Sequence, residues 1–230
     1  MKFTKKTKTI AAFTLVELMV ALGIYILMAG LIFANQDKFN QSLSFSNLGY
    51  DIALTIRQTQ TYGYAVKGEN GNYANAFGVH FADNNPSGFS VFYEPIQSPL
   101  ASTGQTAPLS YEACQSSGCS GLQTISNYNL QNNYTISNLC YGPGNGCGST
   151  DSTCSPVSVG NNASNYLDIV FQRPNINAFI LNNSTNYPAL SYPLSEASVE
   201  LQSPSGEKEC VSVFSSGDIE VSTTTAVTPS

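Results

Sequence analysis

The chain has no tryptophan and a single histidine, and only 10% of its 230 residues are charged. One histidine argues against histidine-based catalysis and against a multi-histidine metal site. Nine Lys and Arg stand against fifteen Asp and Glu, a formal charge of −6. A net acidic chain lacks the clustered positive charge that duplex nucleic acid requires. Proline is missing between Met1 and Asn85, so nothing there forbids a long helix. The charge that is present sits unevenly: Lys2, Lys5, Lys6 and Lys8 are four of the nine basic residues. With 42% apolar residues the chain can build a core, and its length suits one domain with an appendage or two small domains.

After the basic start, Phe13 to Ala34 is apolar except for Thr14, Glu17 and a few small or aromatic residues (Gly23, Tyr25, Gly30). As a helix it would extend about 33 Å, the thickness of a bilayer's hydrocarbon core. The basic flank should stay in the cytoplasm, which places everything beyond Ala34 on the far side. No small-residue cleavage site follows Ala34, so the segment is expected to remain as an anchor rather than leave as a secretory signal. Glu17 is the anomaly. A carboxylate in a lipid-facing helix costs about 2.5–3.5 kcal/mol or more unless it is protonated, paired or drawn to the interface. Cleavage before Phe13 would create an α-amine at the helix start, and such an amine on a neighbouring subunit would neutralise Glu17.

The run Ala12-Phe13-Thr14-Leu15-Val16-Glu17-Leu18-Met19 resembles the cleavage and N-methylation signal of type IV pilins and type II secretion pseudopilins. In that family prepilin peptidase removes a short basic leader before a Phe, the new terminus is methylated, and a Glu at the fifth mature position serves assembly. The resemblance puts the cut between Ala12 and Phe13, methylation on Phe13, and assembly on Glu17 with Thr14. The family usually has Gly where this chain has Ala12. The resemblance further implies partners: the membrane, other pilin or pseudopilin subunits, the peptidase and an inner-membrane assembly platform. Removal of residues 1–12 takes away four lysines and no acid, leaving five basic and fifteen acidic side chains, a charge of −10.

Beyond the anchor, Phe39, Leu43, Leu48, Ile52 and Ile56 recur near multiples of 3.6, predicting an amphipathic helix over 35–62 that ends before Gly63. The remainder reads as antiparallel strands over 63–222. Phe77-Val79-Phe81 and Phe89–Tyr93 flank the turn at 84–88, and Ala197-Val199-Leu201 and Val211-Val213 flank Ser203–Gly206. Tyr134–Cys140, Leu167–Phe171 and Ile219-Val221 are further strand candidates. A flexible tail is expected over 223–230. The predicted class is α+β: a long N-terminal helix packed on an antiparallel sheet, as in pilins. Phe77–Phe81, Phe89–Tyr93, Ile169–Asn175 and Val211–Ile219 together resemble the H-type minor pseudopilins and FimT-like minor pilins.

The stretch 95–165 matches no recognisable pattern and is rich in cysteine. Cys114, Cys119, Cys140, Cys147, Cys154 and Cys210 all fall on the extracytoplasmic side and read as disulfides of open connectivity. The spacing lacks the close pairs of zinc sites, so no metal and no cofactor is expected. Asp151 beside a Gly-rich loop falls short of a calcium ligand set. His80 reads as a structural histidine in a strand, and Arg173 as a strand-end ion pair or a subunit contact. The sequons at Asn133, Asn162, Asn182 and Asn183 follow from an Asn/Ser-rich composition. No nucleophile–base arrangement points to an enzyme. FimT-like pilins bind DNA through C-terminal basic residues; Val211 to Ser230 has none, which disfavours DNA here. The competing reading is a bitopic adhesin that never polymerises, its binding face carrying Tyr111, Tyr128, Tyr134 and Tyr141.

Overall fold

The computed structural model describes residues 14–65, 75–95, 110–117, 121–142, 154–156, 165–173, 177–182 and 194–224. The chain divides into two units, Met1–Ser44 and Phe45–Ser230. Helix α1, Leu15–Tyr64, runs through both. Its start is capped by Thr14, whose Oγ1 accepts the Glu17 amide at 3.3 Å. A threonine three residues ahead of a glutamate is the sequence form of a capping box.

The helix continues past the expected stop at Gly63. That glycine packs on strand residue Phe171: a Cβ there would sit 2.6 Å from both the Cβ and the carbonyl oxygen of Phe171. Gly63 therefore serves close helix–sheet approach rather than termination. The expected apolar stripe also needs correction. Ile52 and Ile56 are buried, joined by Phe45, and Leu48 packs against them, but Phe39 and Leu43 are exposed. At about 100° per residue, Phe45, Ile52 and Ile56 fall within about 40° of one another, whereas Phe39, Leu43, Tyr50 and Leu54 lie on the opposite side. All four of these are exposed.

Among the described residues of the second unit, ten strands form two antiparallel five-stranded sheets. The first is ordered β3-β2-β1-β6-β7, from β1 (Asn75–Ala82), β2 (Gly88–Pro95), β3 (Gln123–Asn129), β6 (Tyr166–Phe171) and β7 (Ala178–Asn182). The second is ordered β10-β9-β8-β4-β5, from β4 (Thr135–Tyr141), β5 (Cys154–Pro156), β8 (Glu196–Gln202), β9 (Lys208–Phe214) and β10 (Ile219–Thr224). The two expected hairpins are present as β1–β2 and β8–β9. One core unites Phe45, Ile52 and Ile56 with Val79, Phe81, Ile169 and Phe171 of the first sheet and Ile136, Val199, Leu201, Val211 and Val213 of the second. Strand alternation explains much of the membership: Leu167, Ile169 and Phe171 of β6, Ala197, Val199 and Leu201 of β8, and Val211 and Val213 of β9 share one face of their strands.

The stretch 95–165, which matches no recognisable pattern, contributes to both sheets. It supplies β3 at the edge of the first sheet and β4 in the interior of the second. It also holds helix α2, Tyr111–Ser117. A smaller core on the other face of the first sheet joins Ala76, Phe92 and Val170 with Tyr111 and Leu122. Thr223 and Thr224, expected in a flexible tail over 223–230, pair with Glu209 and Lys208 in the β9–β10 ladder, and 225–230 lie outside the described residues. Threonine's β-branched side chain suits an edge strand.

Candidate functional site

Two groups of residues carry the functional argument. The first opens α1. Leu15–Phe33 is 19 residues long and is apolar enough to cross a membrane, the one such helix among the described residues. Its large apolar side chains are all exposed. Glu17 stands in the first turn, where the helix dipole favours a negative charge. Ala12, Phe13 and the basic leader lie outside the described residues.

The second group sits on the outer face of the first sheet. On β1, Val79 and Phe81 face the main core, so His80 between them faces the other way. Asp168 of β6 is its register partner. His80 Nδ1 lies 2.6 Å from Asp168 Oδ1, and Asp168 Oδ2 accepts the Tyr111 amide at 2.7 Å. Asp168 is 0% exposed and His80 6%. The Tyr111 ring stacks on the imidazole at 4.5 Å, and Glu112 Oε1 stands 3.7 Å from His80 Nε2. Tyr166 donates to Ser110 Oγ at 2.9 Å. Burial, together with the nearby carboxylates of Asp168 and Glu112, raises the Tyr166 phenol above its ordinary value despite that hydrogen bond.

This cluster clamps the start of α2 to the sheet. The Ser110 hydroxyl is engaged by Tyr166 rather than by His80. The His80–Asp168 pair, with Glu112 at the far ring nitrogen, joins β1 and β6 to the start of α2. Sequence reading singled out His80 but passed over Asp168. The available signal was an acid inside the apolar run Leu167-Asp168-Ile169-Val170-Phe171, at the same outward parity as Tyr166.

A third polar group lies on the outer face of the second sheet. Glu200 Oε1 accepts Lys208 Nζ, Ser137 Oγ and Asn138 Nδ2, each at 2.7 Å. Burial alone pushes this carboxyl up, but the three hydrogen bonds and the lysine charge outweigh it and hold the group below its ordinary value.

Among the described residues no cysteine is free, and Cys114, Cys140 and Cys210 are disulfide-bonded. Cys119 and Cys147 lie outside the described residues. The backbone of Cys154 is the register partner of Cys140 across β4–β5. No group of three or more His, Cys, Asp or Glu is placed to hold a metal among the described residues. Asp151, Asn162 and Asn183 fall outside them. Asn182 is buried in β7, and Asn133 occupies a left-handed turn with φ 57°. Arg173 follows β6 and is partly buried.

The four tyrosines of the adhesin reading do not share an exposed face. Tyr134 is buried against Phe45, Tyr111 packs on His80 and Phe92, and Tyr141 is partly buried. Tyr128 is exposed and stacks on Phe89.

These features define an α+β protein with an N-terminal helix able to cross a membrane and an antiparallel two-sheet domain. No family model matches the chain, and comparison with curated proteins and with solved structures found no match either.

Proposed function

We propose that the chain is a minor pilin or pseudopilin, a structural subunit of a type IV pilus or a type II secretion pseudopilus. The observation that carries the reading is the start of α1. A basic leader and Ala12-Phe13 precede a threonine-capped helix with Glu17 in its first turn, and apolar residues follow through Phe33. Prepilin peptidase cuts before Phe13, the new amine is methylated, and the subunit enters a filament whose centre is a bundle of such helices. In that bundle Glu17 meets the N-terminal amine of a neighbour. A dry environment strengthens the attraction between the two charges and makes either one costly to leave unpaired. The two-sheet domain lies on the extracytoplasmic side, and its last strands, without Lys or Arg from Val211 onward, disfavour DNA as a ligand.

Intact mass and N-terminal sequencing of the chain purified from native membranes test the reading. The expected product begins at N-methyl-Phe13. A chain that keeps Met1 or Lys2 supports a static membrane-anchored receptor instead.

A further inference from the structure

One acid on β9 faces the main core. Glu209 shares its side of the strand with Val211 and Val213 and is 1% exposed. Its register partners are Leu201 on β8 and Thr223 on β10. The carboxyl lies against α1 at Gly49, where a Cβ would come within 2.5 Å of Glu209 Cδ. A Cβ at position 49 would therefore push the Glu209 carboxyl out of its present place. The Gly49 backbone donates a hydrogen bond to the carboxyl, while Oε2 has no hydrogen-bond partner.

Among the described residues no cation compensates the group. On α1, Asp51, Arg57 and Tyr50 are exposed. Tyr134 of the segment before β4 packs on Phe45, one turn from Gly49. On β8, Glu200 points to the opposite face and is held there by Lys208 of β9, and Glu196 lies at the far end of the strand, opposite Phe214. Glu220 of β10 is exposed. Burial pushes the Glu209 carboxyl up to about 7, and the Gly49 hydrogen bond offsets this only in part.

We propose that Glu209 and Gly49 form a proton-operated latch between helix α1 and the β9–β10 hairpin, closed while the carboxyl is neutral and loosened when it ionises. The fold makes such local opening feasible. At its turn, the hairpin is pinned to α1 by the buried Gln60 side chain, which donates to the Gly217 carbonyl at 2.9 Å. Glu209 sits at the other end, beside the last pair of the ladder, Thr224 with Lys208. That corner can part from the helix and hydrate an ionised carboxylate while Val211 and Val213 stay paired. Opening uncovers the helix surface around Gly49, including Phe45 and Ile52. The latch rests on no part of the filament reading.

The sign follows from linkage. The closed form binds the Glu209 proton more tightly than the open form, whose carboxyl has the ordinary value of 4.5. Closure is therefore fully favoured below that value, weakens as pH rises through it toward 7, and levels off above. The open-to-closed ratio should rise by up to about tenfold per pH unit between about 5 and 7.

Hydrogen exchange of the full-length chain in detergent micelles tests this at pH 5, 6, 7 and 8, with rates normalised to intrinsic exchange at each pH. Protection in peptides covering 45–56 and 208–224 should fall with pH and plateau above 7. Glu209→Gln should stay protected with a flat profile, and Gly49→Ala should be open at every pH. A flat wild-type profile overturns the proposal, as does Glu209→Gln tracking the wild type or Gly49→Ala keeping full protection at pH 5.

Discussion

Replacing Asp168 with alanine should lower the unfolding midpoint of the full chain by about 5–15 °C, corresponding to about 2–5 kcal/mol. The carboxylate is fully buried and serves two donors on different elements, the His80 ring on β1 and the Tyr111 amide at the start of α2. Alanine leaves both without an acceptor in a site that water does not reach. It also leaves Glu112 alone near His80. Two unsatisfied buried donors account for the upper part of the range, and local collapse of α2 away from the sheet accounts for the lower. Asp168→Asn should lose less, because its amide oxygen can still accept the Tyr111 N–H. Thermal unfolding checks this, with proteolysis around 110–117 as a second readout. An alanine variant that melts within a degree of wild type would show that the cluster does not fasten α2.

On the proposed filament reading, Glu17→Ala should insert into the membrane and be processed, yet be absent from filaments. Removing the carboxylate makes the segment more apolar, so insertion becomes easier by about 2–3 kcal/mol. The helix loses little, since the Thr14 cap is made by the Glu17 backbone amide rather than its side chain. Failure would then be confined to assembly, where the partner amine has lost its counter-charge. Quantifying the variant in sheared filaments against total membrane protein gives the answer. Incorporation at wild-type level would remove the pairing mechanism. Glu17→Gln sharpens the result, because it keeps the shape and removes the charge.

Several elements were legible in the residues because their signals are local. The long helix follows from the absence of proline and the apolar run from Phe13. The β1–β2 and β8–β9 hairpins follow from alternation around Asn84–Gly88 and Ser203–Gly206. Other elements gave no such signal. Strand β3 is polar and mostly exposed, and exists because it pairs with β2. Helix α2 has seven residues, too few to be stable alone, and is held by Asp168 and the stacked His80–Tyr111 rings. Phe39 and Leu43 fitted the helical stripe by spacing, but the face that meets the sheets is set by Phe45.

The sequence by itself determined a membrane-length helix with an acid, Glu17, in its first turn, an antiparallel β domain behind it, and a positive charge concentrated at the start of the chain. These depend on composition and short-range periodicity. Only the tertiary structure decided that the strands divide into two sheets and that the cysteine-rich stretch supplies β3 to one and β4 and β5 to the other. The same holds for Asp168 and Glu209, which lie in the interior although their neighbours in the chain say only that they are acids in strands. Pairing across distant strands, and the approach of Gly49 to β9, fix which side chains lose water, and no local pattern records that.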